Sequence, residues 1–83
     1  MTSDQKTTPI LDARGMRCPM PVLRLRRQLA GMQAGDQITV YASDLNAWHD
    51  IPAFCAEAGH QIITADKNDV DMVFTIQKGD SAL

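Results

Sequence analysis

The sequence predicts a two-layer α/β sandwich of four strands and two helices in the order β-α-β-α-β-β. Three observations predict it. Val22, Leu25, Leu29 and Met32 recur at helical spacing behind a pair of prolines, and Ile51, Phe54, Cys55 and Ala58 repeat that stripe over a shorter length. Between and after them, residues 37–42 and 72–76 alternate in side-chain character, as strands do. Right-handed crossovers then place both helices on one face of a single small sheet and leave the other face largely in water.

The elements follow in order. Ile10, Leu11 and Ala13 form a first strand of about four residues that ends at Gly15. The first helix opens at Pro19, because proline is favoured at the first helical position, where its missing N–H has no partner to lose. Pro21 lies in the same turn, Arg24, Arg27 and Gln28 take the outer face, and Gly31 or Gly35 ends the helix. In the second strand Ile38, Val40 and Ala42 face one side, and Thr39 and Tyr41 the other. Pro52 sets the start of the second helix, with Asp50 as its cap and Gly59 as its stop, since an interior proline costs ~3 kcal/mol. Residues 44–49 then form either a separate turn or a helical lead-in kinked at Pro52. Residues 61–65 and 72–76 make the last two strands, paired as a hairpin across the polar turn Asp66-Lys67-Asn68-Asp69, with one alternation of each facing the helices.

An 83-residue chain has room for one domain. Residues 10–79 are read as that domain, 1–9 as a flexible N-terminal tail and 80–83 as a C-terminal tail. No apolar run approaches a membrane span, and residues 1–9 are polar where a secretory signal would be apolar, so the protein is expected to be cytoplasmic, without a membrane partner. Two cysteines make no secreted-type disulfide framework. The net charge of −2 is unevenly placed: residues 1–35 hold six basic against two acidic side chains, and residues 36–83 two basic against eight acidic. The basic part coincides with the first cysteine and its helix, which suits docking to an acidic partner or passing near RNA.

The chemistry-bearing stretch is Arg14-Gly15-Met16-Arg17-Cys18-Pro19-Met20-Pro21. Cys18 is expected to cap the helix, facing the positive end of its dipole with Arg14 and Arg17 nearby, all of which favours thiolate over thiol. Pro19 and Pro21 remove two backbone donors, so the Met20 N–H is expected to pair with the sulfur. Cys55 falls on the buried stripe and is read as inert. Other constellations fail. Cys18, His49, Cys55 and His60 match no zinc spacing, and no metal or cofactor is expected. His60 reads as a helix-terminal surface residue and His49 as a loop neighbour of Trp48, neither a base for a Cys-His pair. Trp48 is either an anchor for a partner or a core-edge residue. The thioredoxin pattern lacks its second cysteine, and no phosphate loop or dinucleotide fingerprint is present.

Cys18-Pro19-Met20-Pro21 behind Leu11-Asp12-Ala13-Arg14-Gly15-Met16-Arg17 resembles the signature of the small bacterial sulfur carriers called TusA-like or SirA-like. Asp50-Ile51-Pro52-Ala53-Phe54-Cys55 is similar to that family's second helix, and Ile76-Gln77-Lys78-Gly79 to its final strand. The resemblance implies a four-stranded mixed sheet whose last strand lies between its neighbours and runs antiparallel to them. It also implies that Cys18 accepts sulfane sulfur as a persulfide from a cysteine desulfurase or rhodanese-type donor and passes it to an acceptor protein, for tRNA 2-thiouridine synthesis or another sulfur pathway. Gly15, Pro19 and Pro21 would support that site, and Arg14, Arg17, Arg24, Arg26 and Arg27 are candidate docking residues, read from charge. The protein is expected to act as a monomer, and direct tRNA contact is left open. Asp44-Leu45 stands where many relatives have Asp-Pro, and His49 where an arginine is common; both departures bear on partner identity. The competing reading is a non-catalytic module that binds RNA or protein through the basic first helix.

Overall fold

The structure, a computed structural model, describes residues 8–80. Strand β1 (Ile10–Ala13) leads through helix α1 (Met20–Ala30) to β2 (Gln37–Ala42), and helix α2 (Ala47–Ala58) leads to the hairpin of β3 (Gln61–Lys67) and β4 (Met72–Gln77). The sheet order is β1-β2-β4-β3, with β1 parallel to β2 and β4 antiparallel to both β2 and β3. This is the expected mixed sheet, with the last strand placed inside. The tails expected at 1–9 and 80–83 fall mostly outside the described residues. The sheet already takes in Pro9, whose carbonyl accepts the Thr39 N–H at 3.0 Å.

Alternation explains which face is covered. Ile38, Val40 and Ala42 of β2 pair with Ile76, Phe74 and Met72 of β4, and all six are buried against the helices. Leu25 and Leu29 of α1 and Ala47, Ile51 and Cys55 of α2 complete the core. Phe74 is its largest fully buried side chain, with the Trp48 ring 5.7 Å away between centroids, so Trp48 is a core-edge residue. Its outer side meets Lys67, whose ammonium lies 4.8 Å from the ring.

Four local expectations change. Helix α1 starts one residue late: Pro19 is the N-cap, its carbonyl accepts the Leu23 N–H at 3.1 Å, and Cys18 lies outside the helix behind a cis Cys18–Pro19 peptide. Pro21 is more than a stiffener, being fully buried. Helix α2 starts early, at Ala47, with Asn46 as its cap and Pro52 inside. The lead-in is therefore helical, and Asp50 is an internal residue. The donor that Pro52 lacks is offset by burial of Ala47 and Ile51 and by first-turn bonds to the carbonyls of Asp44, Leu45 and Asn46. Strand β3 runs on through Asp66 and Lys67, and the turn moves to residues 68–71, where the Asn68 side chain accepts the N–H groups of Val70 and Asp71 at 2.8 Å each. A bulge between Ile62 and Thr64 resets the alternation of β3, so it lends only Ile62 to the core.

The C-terminal edge is tied down by two glycines and a histidine. Gly59 ends α2 at φ 86°, in the left-handed region that favours glycine. Gly79 crosses so closely that a side chain there would collide with the Gly59 carbonyl. His60 accepts the Gly79 N–H on Nδ1 at 3.1 Å and packs on Phe54, so it is a structural bridge instead of a plain surface residue. Burial, helped by the charge of Lys78, holds the His60 ring below its ordinary 6.5.

Two predictions follow from this packing. Truncating Phe74 to alanine should cost ~3–5 kcal/mol in urea unfolding, whereas Val70→Ala, at 72% exposure, should shift stability by under ~0.5 kcal/mol. For His60 the sign is set by the lowered folded value. The unfolded chain binds the proton first, so the ring's contribution is complete above pH 6.5 and is lost as pH falls through its folded value. Urea midpoints measured between pH 7.5 and 5 should fall less steeply in His60→Asn than in the natural protein.

Candidate functional site

The loop between β1 and α1 is built onto the end of β2. Gly15 adopts φ 84°, which suits glycine, and donates its N–H to Ser43 Oγ at 2.8 Å. The Met16 N–H closes a turn on the Ala13 carbonyl at 3.2 Å. Cys18 donates its backbone N–H to Asp44 Oδ2 at 2.7 Å, while Asp44 Oδ1 accepts the Asn46 N–H at 3.1 Å and the Asp44 carbonyl accepts that of Ala47. One carboxylate therefore holds the cysteine loop and the entry to α2 together. These two N–H bonds, with the positive charge of Arg17, hold the Asp44 carboxyl below its usual value.

Cys18 is exposed and carries a free thiol. Its Sγ–H donates to Asp50 Oδ2 at 3.2 Å. That hydrogen bond pushes the thiol upward, and desolvation and the negative charges of Asp50 and Asp44 push the same way. The expected electropositive cap is therefore not what the fold makes. Arg14 is committed elsewhere: Nε and Nη2 bind Asp12 at 2.8 and 2.9 Å, Nη1 lies 3.6 Å from Asp71, and the guanidinium sits 5.2 Å from the Tyr41 ring. This pairing lowers Asp12 to about 2 and raises Arg14. The Met20 N–H, expected on the sulfur, instead binds the Arg17 carbonyl at 2.8 Å.

Cys18 lines one shallow groove, and Pro19 and Asp50, its neighbour and its hydrogen-bond acceptor, line a second. The first, about 720 Å³ of open space, is lined by Gly15, Met16, Arg17, Cys18, Ser43, Asp44, Leu45 and Asn46. The second, about 360 Å³ between the helices, is lined by Pro19, Val22, Arg26, Asp50, Ala53, Phe54 and Glu57. Arg24 and Arg27 are exposed on α1. Thus Gly15, Arg17, Cys18 and Pro19 come together, Pro21 supports them from the core, Arg26 borders the second groove, and Arg14 belongs to an ion-pair cluster of its own. Ser43 and Asp44 are supports not expected from the sequence, and Asp50, expected as a cap, accepts the thiol instead. Asp44 carried one usable signal, an aspartate two residues before a helix cap, where its side chain can take main-chain N–H groups.

Cys55 is buried at 1% exposure, and burial pushes its thiol up to about 11, as suits an unreactive core cysteine. Among the described residues no group of three His, Cys, Asp or Glu side chains is placed to hold a metal ion. No helix among them is long and apolar enough to cross a membrane.

Residues 10–78 match the family model described as Sulfurtransferase TusA. The chain is 46% identical over 66 residues to a Neisseria meningitidis serogroup A protein that carries the provisional name of sulfur carrier protein, covering 80% of this chain and 86% of that one. A serogroup B counterpart of the same provisional name matches with the same identity and coverage. Among solved structures, the crystal structure of a SirA-like protein from Desulfitobacterium hafniense superposes with a TM-score of 0.76 at 27% identity, over 88% of this chain and all of that one.

The double hold of Asp44 predicts a local effect. In Asp44→Ala, hydrogen exchange at the Cys18 and Asn46 amides should accelerate several-fold, while the core amides of Val40 and Phe74 keep their protection. Unchanged exchange at Cys18 would show that Asp44 does not hold the loop.

Proposed function

The chain belongs to the TusA sulfurtransferase family, and from that premise we propose that it carries sulfane sulfur as a persulfide on Cys18, taken from a donor protein and handed to an acceptor protein. The observation that carries this reading is the exposed free thiol of Cys18, held on a loop fixed at the Gly15 and Cys18 N–H groups and lining a shallow open groove. Such a tip can enter one protein's active site and then another's. Cys55, on the buried face of α2, has no such access.

In the loading step the Cys18 sulfur attacks the outer sulfur of the donor's persulfide, and the donor cysteine leaves. Unloading repeats this chemistry with the roles exchanged. Shallow grooves suit a relay, because the chain needs to present one sulfur and has no small substrate to enclose. Met20 and Leu23 of α1 and Leu45 after β2 are exposed apolar side chains at 42%, 44% and 75%. With Arg17, Arg24, Arg26 and Arg27 they form the proposed docking surface, an apolar and basic rim suited to acidic partners. A cysteine desulfurase or rhodanese-type donor supplies the sulfur in this reading, and tRNA 2-thiouridine synthesis is the proposed destination, served through the acceptor protein.

The test is intact-protein mass spectrometry after incubation with a cysteine desulfurase, pyridoxal phosphate and cysteine, alongside a rhodanese with thiosulfate. A gain of one sulfur, about 32 Da, is expected in the natural protein and in Cys55→Ser and absent in Cys18→Ser. Absence of the gain with both donors would return the basic helix to the competing role of a binding module.

A further inference from the structure

Resting on the sulfur-carrier reading, we propose that Asp50 is a specificity-determining residue: its carboxylate holds Cys18 as a hydrogen-bonded thiol in the free protein and reserves its reactivity for a docked donor that sets a cation against Asp50. The geometry carries this. Asp50 Oδ2 accepts the thiol at 3.2 Å from a rigid position one turn inside α2, across 32 residues of chain. A second carboxylate, Asp44, sits on the Cys18 backbone N–H at 2.7 Å. The charged groups acting on the sulfur are therefore Asp50 from α2 and Asp44 from the segment after β2, and Arg17 of its own loop lines the same groove. The charge of Arg17 acts on Asp44. Arg26 of α1 and Glu57 of α2 line the groove beside Asp50, and among the described residues Asp50 has no ion-pair partner. Its carboxylate is exposed enough to meet a cation from outside.

The chemistry explains why such a hold matters. A thiolate is the attacking species, and an exposed one would react with any small persulfide or oxidant. The Asp50 carboxylate disfavours that anion. A partner's lysine, arginine or protonated histidine placed against Asp50 removes this opposition, and the proton leaves Cys18 as the donor approaches. The Sγ electron pair then forms a bond to the outer sulfur of the donor persulfide, the donor's S–S bond breaks, and the departing donor thiolate takes up a proton. Cys18 is oxidised to a persulfide while the donor cysteine is reduced to a thiol, so no outside oxidant is required.

The experiment follows the rate of Cys18 alkylation by iodoacetamide against pH in the full chain, read by mass at the Cys18 peptide. In the natural protein the midpoint should lie above the ~8.5 of a free cysteine. Asp50→Asn should lower it by about one unit and raise the rate at pH 7 roughly tenfold, whereas Glu57→Gln, removing a carboxylate from the same helix, should leave it in place. A natural midpoint below ~8.5, or one that Asp50→Asn leaves unmoved, would overturn the proposal. The natural-protein result decides even if Asp50→Asn proves unstable.

A second arm compares sulfur loading by inorganic polysulfide and by a cysteine desulfurase. Asp50→Asn should speed polysulfide loading several-fold and narrow the preference for the protein donor. An unchanged preference would overturn the assignment of specificity to Asp50. Failure of the desulfurase to load even the natural protein would instead count against the donor proposed above, with the alkylation profile still deciding the role of Asp50.

Discussion

The Asp44 carboxylate is the constraint on which the site depends. It accepts N–H groups from Cys18 and Asn46, two points 28 residues apart in the chain, and so joins the start of one helix to the start of the other. Both helices then begin at the same end of the sheet. Without this bridge the backbone of the loop that carries Cys18 would be held through Gly15 to Ser43 and through short-range turns, with the thiol's bond to Asp50 as the remaining tie to α2. The bridge also has an electrostatic consequence: the residue that positions the cysteine brings a negative charge to it, as does Asp50 one helical turn farther on. The segment that positions the sulfur thus also favours its protonated form.

The sheet was legible in the sequence because its information is local and periodic. In β2 and β4 the buried set is a strict alternation, and each buried residue of one strand faces a buried residue of the other, so pattern and register agree. The stripe of α1 was legible for the same reason. The errors came where a local rule met a tertiary one. Pro52 argued for a helix beginning near it, but Ala47 and Ile51 are core residues, and their burial outweighs the missing donor. In β3 the inserted residue at the bulge reset the alternation, and no turn residue announced it. At the end of β3 the contact with α2 is the Lys67 ammonium over the Trp48 ring, which a hydrophobic pattern does not count.

The site was legible as a residue and not as an environment. A glycine, a cysteine and two prolines in eight residues identify a rigid, exposed sulfur, and the structure places it so. Its electrostatics do not follow from the sequence, because nearness in sequence is not nearness in space. Asp12 and Arg14 are two residues apart at the end of a strand and so share a face, where Tyr41 pairs opposite Asp12; that period-2 relation pointed to the ion pair that occupies Arg14. Nothing equally local linked Cys18 to Asp50. Their contact exists only because α1 and α2 lie side by side, a product of the complete topology.

Exposure and reactivity are usually discussed together for a cysteine, yet this fold separates them. A relay sulfur must stand at the surface, since it has to reach into two partners, but a surface thiolate would be open to every soluble electrophile. Helix dipole, nearby arginines and free main-chain donors would each make that exposure costly. Here Met20's N–H is taken by the Arg17 carbonyl, Pro21 has none, and Arg14 is paired with acids, so main-chain donors and one of the two nearby arginines are withdrawn. Two carboxylates then act in the opposite direction. The consistent physical description is an exposed sulfur on a fixed loop, with two carboxylates beside it that favour the thiol over the thiolate.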